Sequence, residues 1–150
     1  MPEPHRVLVV ANRTCPCPAL LREVARRRDE HDDVAVLLVA PALNSRLRHY
    51  LSDVDPALAA ARARLDLAAA NLAELGLRAS TEIGDADPRV AIADALARFS
   101  AAEIIVSTLP PGRSNWLERG LIERAREEFG VPVTHLVSHY GAEAAVPATT

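Results

Sequence analysis

Glu103-Ile104-Ile105-Val106-Ser107-Thr108-Leu109-Pro110-Pro111-Gly112-Arg113-Ser114-Asn115-Trp116-Leu117-Glu118-Arg119-Gly120-Leu121 is the stretch on which the fold turns. It opens with an apolar, β-branched run, the signature of a strand buried on both faces. Pro110-Pro111-Gly112 then breaks the chain, because neither proline can donate to a ladder or continue a helix. A helix restarts behind it, with Asn115 as candidate N-cap and Glu118 three residues on, the spacing of a capping box. Strand, tight loop and helix start in succession make the place where open α/β sheets take their ligands.

The pattern repeats upstream. Arg6–Ala11, apolar from Val7 on, and Val34–Ala40 are two further strands whose continuous apolar runs suit central parallel positions. Pro18 opens a helix whose inner face is Leu20, Leu21, Val24 and Ala25, and Arg26-Arg27-Arg28-Asp29-Glu30 reads as its charged, solvated end. Pro41 to Val54 reads as a long irregular connection of the kind that often carries function. Asp55-Pro56 opens the next helix, with Leu58, Ala61, Leu65, Ala68, Leu72 and Leu75 as its inner stripe and Gly76 as its stop. Leu77–Ile83 alternates apolar and polar, as a half-exposed edge strand does. Asp87-Pro88 is a second cap-and-proline helix start, and Ile92, Ala93, Leu96 and Phe99 mark the buried face behind it. Gly130-Val131-Pro132-Val133 opens a fifth and last strand that runs to Val137.

Strand and helix alternate four times before that last strand, which predicts an α/β domain with a five-stranded parallel sheet and helices on both faces, doubly wound and Rossmann-like. With the two most apolar strands central and the alternating one at an edge, the expected order is 3-2-1-4-5. The domain is expected to span residues 1–138, with 139–150 as a disordered tail.

Composition narrows the function. The net charge of -3 and the scarcity of aromatic residues give no basis for nucleic acid or an anionic membrane as partner. All seventeen basic residues are arginine, so chemistry that needs a lysine in a P-loop, a kinase site or a Schiff base is excluded. The arginine and alanine richness reads as the mark of a GC-rich, bacterial genome. Two cysteines, the want of an export signal and the want of a spanning segment lead to the expectation of a cytoplasmic protein.

The crevice implied by this order lies between Asn12-Arg13-Thr14 and the loop from Ser107 to Asn115. Arg13 and Arg113 are placed to face it beside free helix-start amides, so a small anionic ligand is the natural candidate. Asp85 and Asp87 could ligate a metal or a ribose, but a turn with a helix cap accounts for them better. Cys15-Pro16-Cys17 lacks the spacing of a zinc or thioredoxin site, and a thiol sensor is the weakest reading of it. His135 and His139 share no helix face, and His5, His31 and His49 read as surface residues. Arg46, Arg48, His49 and Tyr50 fall in the long connection, where a solvated loop is a simpler account than a lid. No catalytic set and no metal site emerges.

The strand-helix order, Gly84-Asp85-Ala86-Asp87-Pro88, Ala102-Glu103-Ile104-Ile105-Val106-Ser107 and the closing Val131-Pro132-Val133 resemble the universal stress protein family over roughly residues 5–138. The resemblance implies the 3-2-1-4-5 sheet, a role in stress response, and a homodimer built through the last strand, for which Val131, Val133 and His135 are the candidate positions. ATP-binding members carry G-x-x-G, nine residues, then G-[S/T] after strand four, and an aspartate at the end of strand one. On that spacing this chain has Ser107, Pro110, Gly120 and Leu121, with Asn12 in the aspartate's place. Pro110 has no amide to offer a phosphate, and Leu121 has no hydroxyl. The resemblance therefore implies a binding or regulatory protein that has lost standard ATP binding. Its alternative is a binder of ATP or another adenine nucleotide with magnesium, with slow ATPase activity, lined by Asn12, Arg13, Val39, Ser107, Arg113, Ser114 and Gly120.

Overall fold

A computed structural model describes residues 3–11, 18–43, 56–108 and 120–137. Five parallel strands, β1 (His5–Ala11), β2 (Val34–Leu43), β3 (Arg78–Asp85), β4 (Glu103–Thr108) and β5 (Val133–Val137), form one sheet. Their order is β3-β2-β1-β4-β5, as the hydrophobic patterning predicts. The helices are α1 (Pro18–Ala25), α2 (Arg27–Glu30), α3 (Pro56–Glu74), α4 (Pro88–Arg98) and α5 (Leu121–Glu128).

Successive side chains of a strand point to opposite faces, so a strand apolar at every position feeds two cores. β1 shows this directly. Val7, Val9 and Ala11 pack with Leu20 and Val24 of α1 and Leu65, Ala68 and Leu72 of α3. Leu8 and Val10 pack with Ala91, Ile92 and Ala95 of α4 and with Leu121, Ile122 and Ala125 of α5. The sheet is thus covered on both sides, and the continuous apolar runs of β1, β2 and β4 are explained.

The helix boundaries follow their signals. Asp87 caps α4, its carboxylate accepting the Arg89 amide at 3.0 Å, and Pro88 sits in the first turn. Gly76 ends α3 in the left-handed region at φ 84°. The Leu77 amide donates to the Leu72 carbonyl and the Gly76 amide to the Ala73 carbonyl, both at 3.0 Å, which is a Schellman ending.

Five expectations are corrected. β2 does not stop at Ala40 but runs to Leu43, with Pro41 beside Gly84 and an irregularity between Pro41 and Leu43. Proline is tolerated because the register of β2 with β1 ends at Val39, which leaves β3 as its described neighbour there. Leu75 is 46% exposed, since the helix is already closing at Gly76. Ala93 is exposed, whereas Ala91 and Ala95 are buried with Ile92 beside partly buried Leu96 and Phe99, so the inner face of α4 is rotated from the predicted one. Arg27 is buried rather than solvated, and His5 and His31 are half-buried partners rather than surface residues. The proposed Asn115 cap, the 44–54 part of the long connection, the Asp55 cap, Cys15 and Cys17, His139 and the 139–150 tail lie outside the described residues.

Candidate functional site

The carboxyl ends of β1 and β4 lie side by side at the point where the strand order reverses. Val10 registers with Val106, and Ala11 with Ser107. β2 joins on the other side of β1, where Val10 registers with Val39. Ala11, Val39 and Ser107 therefore lie near the carboxyl ends of three adjacent strands, where the crevice is expected.

Val39 and Ser107 do not share a face. Val39 is fully buried toward α4, and Ser107, two residues after Ile105, lies on the α1–α3 side. Any contact of Val39 with a crevice ligand would therefore come from its backbone. Asn12, Arg13, Arg113 and Ser114 lie outside the described residues. Gly120 immediately precedes α5 and holds a left-handed φ of 69°, a conformation suited to glycine, and its carbonyl accepts the Arg124 amide at 3.1 Å.

Burial of polar groups is concentrated here. Among the described residues the buried polar side chains are Arg27, Ser107, Thr108 and His135. The last three sit at the carboxyl end of β4 and next to it on β5. Thr108 Oγ1 and His135 Nε2 are 2.8 Å apart, which satisfies both groups in an apolar setting. Burial, then the positive charge of Arg126, push the His135 imidazole below its ordinary range, against a smaller opposing effect of Glu123. Arg126 itself donates from Nη2 to the Val133 carbonyl at 3.1 Å and ties α5 to β5.

β5 is the outermost strand on its side of the sheet, so one row of its backbone groups has no ladder partner among the described residues. Val133 and His135 are themselves buried by their own chain, and Val131 is half-buried. Their contribution to an interface would run through the strand edge rather than through the tips of these side chains.

The opposite end of the sheet holds a cluster that sequence reading missed. Arg27 Nη2 and Nε lie 2.6 and 3.1 Å from Glu103 Oε1, and Arg27 Nη1 lies 2.7 Å from Glu23 Oε1. His5 Nε2 is 2.5 Å from Glu103 Oε2, and the His5 ring stacks on His31 at 3.7 Å. The available signal was Glu103, a carboxylate at the head of an otherwise apolar strand.

Asp85 and Asp87 form a turn, with the Asp87 amide donating to Asp85 Oδ1 at 2.9 Å. Among the described residues no group of three or more metal-ligating side chains occurs, and no helix is long and apolar enough to cross a membrane. No protein-family model matches the chain, and no curated protein matches its sequence.

Proposed function

We propose that this chain is a universal-stress-protein-like binding and regulatory protein, cytoplasmic and homodimeric, whose crevice no longer accepts ATP in the standard way. The observation that supports this reading most is the switch point itself, with Ala11 beside Ser107 at the reversal of a 3-2-1-4-5 sheet. Two features argue against a conventional triphosphate site. Pro110 stands where a glycine amide would be needed. Leu121, at the motif's hydroxyl position, is 1% exposed and packed in the core beneath α5. A ligand there would be a different small anion held by Arg13 and Arg113, and the outer edge of β5 would carry the dimer.

A second reading, an adenine-nucleotide binder acting with magnesium, is favoured by Gly120. It keeps the left-handed backbone at the motif's third glycine position. Calorimetric titration with ATP, ADP and AMP, each with magnesium, separates the two. The primary reading expects no heat and no thermal shift up to millimolar nucleotide. Micromolar binding that disappears in Arg113→Ala would overturn it in favour of the second. Sedimentation gives the assembly state, and a monodisperse monomer at micromolar concentration would remove the dimer.

A further inference from the structure

The cluster at the amino end of the sheet joins three parts of the chain that are distant in sequence. Glu103 heads β4, His5 heads β1, and His31 ends α2 just before β2. Arg27 and Glu23 complete it from α2 and α1. The His5 amide also donates to the Asp33 carbonyl at 2.8 Å, so the turn that carries His31 is already held against β1.

On α2 itself Arg28, Asp29 and Glu30 are exposed and lie within three positions of His31. Glu23 and Glu103 share Arg27. Arg26 meets the outer oxygen of Glu23 at 2.8 Å from a solvated position. Arg6 pairs outward with Glu3, and Asp33 pairs outward with Arg78. Asp32 is exposed between His31 and Asp33. Neither β5 nor α3 places a described charged side chain within bonding distance of the rings.

A proton on His5 would face Glu103 Oε2 at 2.5 Å. A second proton, on His31, would have the exposed Glu30 and Asp32 beside it in sequence but no ion-paired carboxylate among the described residues. It would place two cations face to face, with parallel rings whose centroids are 3.7 Å apart. We infer that the His5–His31 stack is a proton-operated latch. With at most one proton it holds the α2–β2 turn on β1, and a second proton separates the rings and releases that turn. The change is local, because Arg27 keeps its hold on Glu103 and α2 stays attached.

The test is site-resolved nuclear magnetic resonance of the intact chain between about pH 8 and pH 5, the span over which imidazoles ordinarily change charge. Two readouts are followed, the cross-peak between the His5 and His31 rings and the exchange protection of the Val34 to Val36 amides. The expected result is loss of the cross-peak at the acid end, with protection falling at least roughly tenfold. His31→Phe keeps a ring to stack but cannot take a proton, so its protection should stay within about twofold over the same range. His31→Gln, which also stays uncharged, gives the same readout should the phenylalanine variant fold poorly. A wild-type cross-peak that survives to the acid end would overturn the latch. So would an uncharged variant that loses protection as the wild type does.

Discussion

Arg27 binds Glu103 across 76 positions of sequence, with Nη2 2.6 Å and Nε 3.1 Å from the same carboxylate oxygen. Both side chains are nearly out of solvent, so neither charge can fall back on water when its partner is removed. Arg27→Met should therefore cost about 3–5 kcal/mol, as the loss of one member of a buried ion pair does. Arg27→Met combined with Glu103→Met should recover a large part of that loss, because Glu103 is then not left as an unpaired buried charge and Glu23 keeps Arg26. Urea denaturation of the wild type and the two variants checks this. A single substitution costing under about 1 kcal/mol would show that the pair behaves like a surface one.

The same pair sets an acid dependence. Burial alone would raise the Glu103 carboxyl, but hydrogen bonds from Arg27 and His5, with their charges, outweigh it and hold the group below 4.5. Glu23 is lowered in the same way, burial opposing and Arg27 and Arg26 prevailing. A folded-state value below the unfolded one means the stabilisation is complete above about 4.5 and disappears as pH falls through the folded values. The stability gap between wild type and Arg27→Met should hence stay level from about pH 8 to pH 5.5 and close below about 4.5. A gap that widens on acidification would contradict the assignment.

His135 works in a different window. Its imidazole is lowered below 6.5 by burial and by Arg126, so the unfolded chain takes up a proton before the folded one does. Its contribution to stability is full above about 6.5 and falls as pH drops from there to the folded value, with a slope of at most about 1.4 kcal/mol per pH unit. His135→Gln should remove that slope. Thr108→Val should cost about 1–3 kcal/mol at neutral pH, since it leaves Nε2 of a buried ring without its partner. Denaturation at a series of pH values reads both.

The fold was legible because hydrophobic period and punctuation agree at each element. β1 from Val7 to Ala11 and β4 from Ile104 to Val106 are apolar at every position, β3 alternates, and Gly76 and Asp87 end and start their helices by local chemistry alone. Less was legible where a distant partner decides. Arg27 sits in a run of three arginines and differs from Arg26 and Arg28 only by the direction in which it leaves α2. His5 gains its role from Glu103 and His31, neither near it in sequence. Pro41 reads as a break, yet it is accommodated because β1 has already ended. At the switch point, the strand order predicted Ala11 and Ser107 as neighbours, but spacing could not say that Val39 and Ser107 project to opposite faces. The Thr108–His135 pair depends on β4 and β5 being neighbours, which follows from the strand order and not from either residue.

Two glycines with positive φ should respond unequally to alanine. At Gly130 a Cβ would meet nothing within 4 Å, so only the left-handed backbone penalty of about 1–2 kcal/mol applies. At Gly76 a Cβ would stand 2.3 Å from Arg28 Nη1, which donates to the Leu75 carbonyl at 3.2 Å. Gly76→Ala should cost more than Gly130→Ala, because it also displaces the guanidinium that covers the carbonyl end of α3. Equal losses in thermal denaturation would mean that Arg28 moves aside freely.

Gly84 makes a different demand, since its backbone is not in the left-handed region. A Cβ there would stand 3.0 Å from both Val39 Cγ1 and Ala91 Cβ. The small residue lets the end of β3 lie against β2 and lets α4 close onto both. A single methyl requires its neighbours to give by a few tenths of an ångström, whereas the branched side chain of Gly84→Val cannot be fitted without moving α4 or the end of β2. Gly84→Val should therefore cost about 1–3 kcal/mol by overpacking. Val39→Ala in the same chain should relieve part of the crowding, although Val39→Ala alone creates a cavity and destabilises. Thermal denaturation of the two single variants and the double variant measures the coupling. Additive losses would show that Gly84 and Val39 do not share the space assigned to them. A favourable coupling would place the constraint at the contact between β2 and β3, beside the expected crevice.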